Sequence, residues 1–285
     1  MKFAEARANA EQVLAAAAVP TPRVDAELLL AYVIDADRSA VQLGELLGRE
    51  LAAQQHQHFS ELVTRRAARI PLQHLTGQAH FRQLTLAVGP GVFIPRPETE
   101  SVVQIGLDFI GAQQGARVVD LCSGSGAIAA ALATELQAPQ VWAVELSEDA
   151  IGYTRINCEP HGVTVLQGDA GAVDPALIEP GSIDLVVSNP PYIPPNAVPR
   201  EIEVKDHDPP LALYGLGTDG LQVPRAVAAQ ALRLLKPGGL FVMEHAEVQE
   251  HPAAQLLDMV GFEKVTGHLD LTGRPRATSG LAPKK

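Results

Sequence analysis

Five consecutive residues, Ser188-Asn189-Pro190-Pro191-Tyr192, place two main-chain positions without an N–H donor next to an asparagine side chain. The two prolines carry no N–H and stiffen the turn, which leaves main-chain carbonyls and the side-chain oxygen of Asn189. Such a set suits an NH2 group. The nitrogen of an amide or exocyclic amine is a poor nucleophile because its lone pair is delocalised. Two acceptors that grip both N–H bonds can hold it near a methyl donor and favour its pyramidal form, and help of this kind lowers a barrier by several kcal/mol. Tyr192 adds a flat apolar wall against the amide or base plane. Asn-Pro or Pro-Pro alone would read as an ordinary turn; all four residues at a strand end read as a reacting site.

A second constellation lies upstream. The strand Val118-Val119-Asp120-Leu121 runs into Cys122-Ser123-Gly124-Ser125-Gly126-Ala127, and a helix follows. Glycines there let the backbone approach a ligand and expose N–H groups at a helix start. Gly124, Gly126 and Ala129 satisfy G-x-G-x-x-A, so the turn alone does not choose among ligands, and a bare tight turn is its plainest reading. The next strand ends at Glu145, about 20 residues on, where a carboxylate can accept hydrogen bonds from two ribose hydroxyls. Its plainer reading is a carboxylate favoured by the dipole of the helix after Ser147. The third strand ends at Gly168-Asp169-Ala170, where a carboxylate and the adjacent amide suit an adenine edge, or where Asp169 simply caps a turn.

These residues need elements to hold them. The first 70 residues read as helices only. Phe3, Ala6, Ala10, Val13, Leu14 and Ala17 recur at three- and four-residue spacing before Pro20. Thr21-Pro22 opens a helix through Ile34, a short helix fits Ser39 to Leu47, and a longer one fits about Arg49 to Ile70, ahead of Pro71. Arg65, Arg66 and Arg69 on that last helix read as a solvated face. Leu84, Leu86 and Val88 alternate, Gly89-Pro90-Gly91 turns, and Val92-Phe93-Ile94 resumes, the pattern of a β-hairpin. A helix over about Glu98 to Ile110 follows, and then strands and helices alternate through the strand Leu240 to Met243 and a helix near Ala253 to Met259, which argues a mainly parallel sheet with helices on both faces. The expected organisation is a helical N-terminal docking domain over 1–75, a hairpin linker over 76–97 and a catalytic α/β domain over 98–285.

Composition narrows the function. The 285 residues are 46% apolar and 19% charged, as in ordinary globular proteins, which excludes global disorder. The net charge of −11 lies almost wholly downstream. Residues 1–80 hold 8 basic and 9 acidic residues, and the rest hold 14 and 24, net −10. That balance disfavours nucleic acid as a partner. Cys122 and Cys158 sit in no metal-ligand spacing, so neither a metal site nor a disulfide framework is expected. The start lacks the order of a signal peptide, and no run reaches about 18 apolar residues. A soluble, monomeric, cytoplasmic protein without membrane contact is expected.

Taken together, Asp120-Leu121-Cys122-Ser123-Gly124-Ser125-Gly126 and Asn189-Pro190-Pro191-Tyr192 resemble the class I S-adenosylmethionine-dependent amino methyltransferases. Ile94-Pro95-Arg96-Pro97-Glu98-Thr99-Glu100, preceded by Pro71-Leu72-Gln73-His74-Leu75-Thr76-Gly77, narrows the resemblance to the release factor glutamine methyltransferases, the HemK or PrmC family. It covers nearly the whole chain, most specifically residues 71 to 245. It implies a doubly wound, mainly parallel Rossmann-like methyltransferase sheet with a small all-α N-terminal bundle and a linking β-hairpin. The implied activity is N5-methylation of the glutamine in the Gly-Gly-Gln loop of class I peptide chain release factors, with S-adenosylhomocysteine as coproduct and the bundle helping to hold the factor.

Carried onto this sequence, the resemblance makes Asp120 and Cys122, Ser123, Gly124, Ser125 and Gly126 binders of the cofactor, the turn wrapping its methionine part. Glu145 would take the ribose and Asp169 with Ala170 the adenine. Phe93 and the Pro95 to Glu100 segment would close the pocket. Asn189, Pro190, Pro191 and Tyr192 would hold the substrate amide, with Asn189 also near the cofactor. The family often has glycine where Cys122 stands, which leaves less backbone freedom here. No strong base is needed, and His245 reads as a structural strand-end residue. Three rivals remain: an amino methyltransferase of adenine or guanine in nucleic acid, a non-catalytic cofactor-binding interaction protein, and an NAD-dependent oxidoreductase, which leaves the Asn189 to Tyr192 motif unexplained.

Overall fold

The computed structural model describes residues 1–284 and divides into two compact units. One comprises Met1–Gln78 with Pro199–His207; the other runs from Ala79 to Val198 and continues from Asp208.

The helical unit opens with α1 (Phe3–Ala16), α2 (Pro22–Val33), α3 (Arg38–Leu46), α4 (Ala53–Ala67) and α5 (Leu72–Thr76). Asp37 caps α3 by accepting the Ala40 N–H at 2.8 Å. The apolar faces meet in a core of Phe3, Leu14, Leu29, Leu30, Val41, Phe59 and Leu62, each such side chain worth roughly 1.5–3 kcal/mol on burial. α4 is shorter than the periodicity suggests. The Gln55 side chain accepts the Ala52 N–H at 3.0 Å and fixes its start, and Arg69, at φ +67°, ends the helical path before Pro71.

Of the three arginines of α4 and its exit, Arg65 is exposed as expected, but Arg66 and Arg69 are not part of a solvated face. Arg66 is buried, its Nε donating to Asp25 Oδ2 at 2.7 Å and its Nη2 to Glu203 Oε1 at 2.9 Å, and Arg69 Nε reaches the same oxygen at 2.8 Å. Charge-assisted hydrogen bonds to two acidic partners offset the cost of burying these cations, a pairing invisible in the local pattern because Glu203 lies far along the chain.

β1 (Gln78–Phe81) and β2 (Leu84–Ala87) form the two-stranded antiparallel sheet. The hairpin therefore turns at Arg82-Gln83, with Arg82 at φ +51°, and not at Gly89-Pro90-Gly91. Val92 and Ile94 form no strand; they pack with Val88 and Ala150 in a small separate cluster.

α6 (Glu100–Ile110) follows a 3-10 turn at Pro97–Thr99. Then come β3 (Arg117–Leu121), α7 (Ala127–Glu135), β4 (Gln140–Glu145), α8 (Ile151–Cys158), β5 (Thr164–Gln167) and β6 (Ile183–Ser188). α9 (Ile202–His207) lies in the segment that belongs to the helical unit. α10 (Pro210–Leu213), α11 (Gln222–Leu234), β7 (Leu235–Glu244), α12 (Glu250–Val260), β8 (Glu263–Leu269) and β9 (Pro275–Leu281) complete the order.

The seven-stranded sheet runs β5-β4-β3-β6-β7-β9-β8, parallel except where β9 opposes β7 and β8. Every residue of β6 is buried, as expected of a strand covered on both faces. The strand order reverses between β3 and β6, and in such sheets ligands bind outside the carboxyl ends at that switch point. The β8–β9 pair carries no expectation from sequence. β9, Pro-Arg-Ala-Thr-Ser-Gly-Leu, has no apolar alternation, and it is buried because it lies between β7 and β8. Among the described residues no helix is long and apolar enough to cross a membrane.

Candidate active site

Strand register brings the two sequence constellations together. Leu121 of β3 is paired with Ser188 of β6, and the Ser188 hydroxyl donates to the Leu121 carbonyl at 2.6 Å. Cys122 and Asn189 are therefore the next residues on neighbouring parallel strands. Leu121 is likewise paired with Val144, and Glu145 with Gln167, so Glu145 and the Gly168-Asp169-Ala170 turn leave the same edge.

The glycine turn is stereochemically demanding. Gly124 stands at φ +54° and Gly126 at φ +82°, and a Cβ on Gly126 would fall 2.4 Å from Cys158 Sγ. Cys122 itself stands at φ +65°, a left-handed conformation that costs an L-residue roughly 1–2 kcal/mol. This accounts for glycine as the residue often seen there in the family, and the loop keeps its turn with cysteine in place. α8 braces the turn from outside: the Thr154 hydroxyl donates to the Gly124 carbonyl at 2.7 Å, and Asn157 Nδ2 to the Ser125 carbonyl at 2.8 Å. Sequence reasoning missed both, although they sit three apart on one helix face.

Three carboxylates surround Cys122. Burial pushes its thiol up, and Glu145, Asp120 and Asp169 push it further, so it stays protonated and is no nucleophile. Glu145 accepts the Gly124 N–H at 2.6 Å and the Ser147 N–H at 2.7 Å, which locks its carboxylate against the turn while each oxygen retains acceptor capacity. Asp120 is fully buried. Desolvation carries its carboxyl well above the usual carboxylate range, opposed by the Ala129 N–H. Its Oδ1 and the buried Ser123 hydroxyl have no hydrogen-bond partner, while a Cβ on Gly124 would meet open space. Unpartnered acceptors, an open backbone and an acidic rim fit a cofactor that carries cationic and hydroxyl groups.

Ala170 is buried, whereas Asp169 is exposed and accepts the Gly171 N–H at 2.8 Å. Phe93 is not part of this strand edge: it is half-buried under the Arg96 guanidinium, 5.1 Å from the ring centroid, and Arg96 is tied to Asp208 at 2.8 Å.

The segment from Asn189 to Tyr192 is held from below. Gln249 Nε2 donates to the Tyr192 carbonyl at 2.9 Å, and the Ile193 N–H to the Leu213 carbonyl at 2.8 Å. The main chain of Gly215 and Gly220 approaches so closely that a Cβ would meet Pro191 O at 2.5 Å or Tyr192 O at 2.3 Å. The glycines at 215, 217 and 220 were the available signal. Asn189 Nδ2 donates to Thr99 Oγ1 at 3.4 Å, and the Tyr192 hydroxyl donates to Glu244 Oε1 at 3.3 Å. Glu244 is almost wholly buried, and desolvation raises it to about 7 against the Thr99 hydroxyl and Arg276, which lower it. His245 has both ring nitrogens occupied, by the Ala246 carbonyl and Thr278 at 2.9 Å each, and burial lowers its pKa, so it stands neutral in the strand end.

An open parallel sheet with a glycine turn after its first strand and Asn-Pro-Pro-Tyr after its fourth defines a methyltransferase of the S-adenosylmethionine-dependent class. Family models agree: a methyltransferase domain matches residues 112–266 and a PrmC N-terminal domain residues 5–77. The fold is shared with a 16S rRNA N2 G1207 methyltransferase of T. thermophilus, at TM-score 0.53 and 22% identity over 73% of this chain and half of that one. A methyltransferase from Pyrococcus furiosus shares it at TM-score 0.52 and 18% identity, over 71% of this chain and 90% of that one. Over 94% of both chains the sequence is 49% identical to the release factor glutamine methyltransferase of Streptomyces coelicolor. It is 47% identical to that of Mycolicibacterium smegmatis over 94% of this chain and 93% of that one, and 42% identical to that of Bifidobacterium longum over 94% and 95%. The chain belongs to the release factor glutamine methyltransferase family.

Proposed function

We propose that this chain methylates the side-chain amide nitrogen, N5, of the glutamine in the Gly-Gly-Gln loop of class I peptide chain release factors. The observation that carries the reading is the Leu121–Ser188 register, which sets Asn189 beside the glycine turn. Cys122 to Gly126 would hold the methionine part of S-adenosylmethionine, Asp120 its cationic group, Glu145 the ribose hydroxyls, and Asp169 with Ala170 the adenine; Phe93 and the Pro95 to Glu100 segment would close over it. When bound, S-adenosylmethionine supplies a methyl group on a positively charged sulfur, whose loss of charge favours transfer.

The chain's own residues do the positioning. Asn189 Oδ1 and the Pro190 carbonyl accept the two amide N–H bonds and favour a pyramidal nitrogen, and Pro191 and Tyr192 confine the amide plane. The proton leaves to water after the new N–C bond has formed, so no side chain has to act as a strong base. The helical unit, including residues 1–75, serves as the docking part for the factor. The enzyme works as a monomer in the cytoplasm, without membrane or direct nucleic-acid contact, in keeping with the net −10 beyond residue 80.

Incubation with methyl-labelled S-adenosylmethionine and release factor, DNA or RNA tests the reading. Label should appear at the factor's glutamine. Label confined to nucleic acid would identify an adenine or guanine methyltransferase instead.

A further inference from the structure

The mechanism so far leaves a buried acid unused. Glu244, at the end of β7, lies under Tyr192 and beside Thr99, and no hydrogen bond of full geometry reaches its Oε2. Thr99 is itself buried, in the Pro95 to Glu100 segment, and it accepts from the Asn189 side-chain nitrogen. Thr99 thus stands between the acid and the residue that meets the substrate.

We propose that Thr99 and Glu244 are positioning residues that set the polarity of the Asn189 amide, so that its oxygen and not its nitrogen faces the substrate NH2. The proposal rests on the reading of Asn189 as an acceptor for the substrate amide. A threonine hydroxyl has one proton to give. An ionised Glu244 accepts only, so the Thr99 proton turns to it and the Thr99 oxygen can only accept. Asn189 must then turn its NH2 to Thr99 and present Oδ1 outward. A protonated Glu244 can donate to Thr99, which frees the Thr99 proton to point at Asn189. The amide can then reverse and set N–H against N–H.

Polar neighbours of Glu244 offset part of the cost of ionising it. The Tyr192 hydroxyl, from the turn after β6, donates to it, and Arg276 of β9 faces it with positive charge; Glu98, from the 3-10 turn, opposes. Desolvation is the largest influence and brings the titration up to about 7. The carboxylate therefore changes state within the working pH range.

Thr99→Val keeps the shape and removes the hydroxyl; Thr99→Ser keeps the hydroxyl. With release factor and S-adenosylmethionine, Thr99→Val should lower kcat about 10- to 100-fold. KM for the factor and calorimetric affinity for S-adenosylhomocysteine should both stay within about threefold. Thr99→Ser should restore most of kcat. Wild-type kcat should fall as pH drops through about 7, and Glu244→Gln should abolish that limb while still binding S-adenosylhomocysteine. Wild-type kcat in Thr99→Val, or the same acid limb in Glu244→Gln, overturns the proposal. If Asn189→Ala keeps full turnover, the reading of Asn189 fails first; if Asn189→Ala is inactive and Thr99→Val is not, only the relay fails.

Discussion

Leu121 and Ser188 are bound to each other twice, by the register of two parallel strands and by a 2.6 Å hydrogen bond from the Ser188 hydroxyl to the Leu121 carbonyl. That double tie sets the offset between the glycine turn and Asn189. The residues proposed to meet cofactor and substrate begin one position later on each strand, at the carboxyl edge of the sheet.

Asn189→Ala should lose most turnover and leave S-adenosylhomocysteine affinity within roughly tenfold, or about 1.4 kcal/mol. Single-turnover kinetics and calorimetry separate the two. A loss of cofactor affinity as large as the loss of rate would remove Asn189 from its role at the amide.

Gly126→Ala places a methyl group against Cys158 Sγ at a left-handed φ. It should destabilise the fold by about 1–3 kcal/mol and weaken cofactor binding, read by urea unfolding and calorimetry. Cys122→Gly should do the reverse. It relieves the left-handed cysteine, offset by greater freedom in the unfolded chain, and the melting temperature should hold or rise.

Glu244 gives a stability signature of its own. Its folded pKa is raised, so its contribution is fully present below the ordinary value of 4.5 and is lost as pH rises through about 7. Glu244→Gln should gain stability relative to wild type between about pH 5 and about pH 8, by roughly 1–3 kcal/mol. A constant difference across that range would contradict the burial ascribed to the carboxylate.

Glu203 behaves in the opposite sense. Burial raises its pKa, but hydrogen bonds from Arg69 and Arg66 outweigh it and bring the carboxyl down to about 2. Its stabilisation is present above the ordinary value and lost as pH falls toward about 2. Glu203→Gln should lower stability at neutral pH by about 1–3 kcal/mol, because Arg66 stays buried with one partner fewer. Thermal melts of the full chain at neutral and acid pH measure it.

Much of the sheet was legible in sequence because parallel strands buried on both faces, such as Ile183–Ser188, are continuous apolar runs closed by motif residues. The family resemblance carried the reading of the site further than spacing alone, since Gly124 and Gly126 fit several ligands. What stayed hidden was long-range. β9 has small polar residues and owes its burial to neighbours on both sides. Thr99 and Glu244 lie far apart in the chain and meet only through the fold, and the hairpin turn at Arg82 carries no local signal because a left-handed arginine stands where a glycine would mark it. Arg66 has the local pattern of a surface cation, and its partners Asp25 and Glu203 lie far from it in the chain.

The short excursion at Pro199–His207 makes this chain indivisible by simple cutting. The polypeptide leaves the catalytic unit, lends Glu203 to the helical one and returns. An excised piece ending at Gln78 would keep Arg66 and Arg69 but forfeit their shared acid. Gene fusions or recombination that exchange only the N-terminal codons between relatives would likewise inherit half of an ion cluster. Exchanging the helical unit of this enzyme therefore requires transplanting two separate stretches of sequence at once.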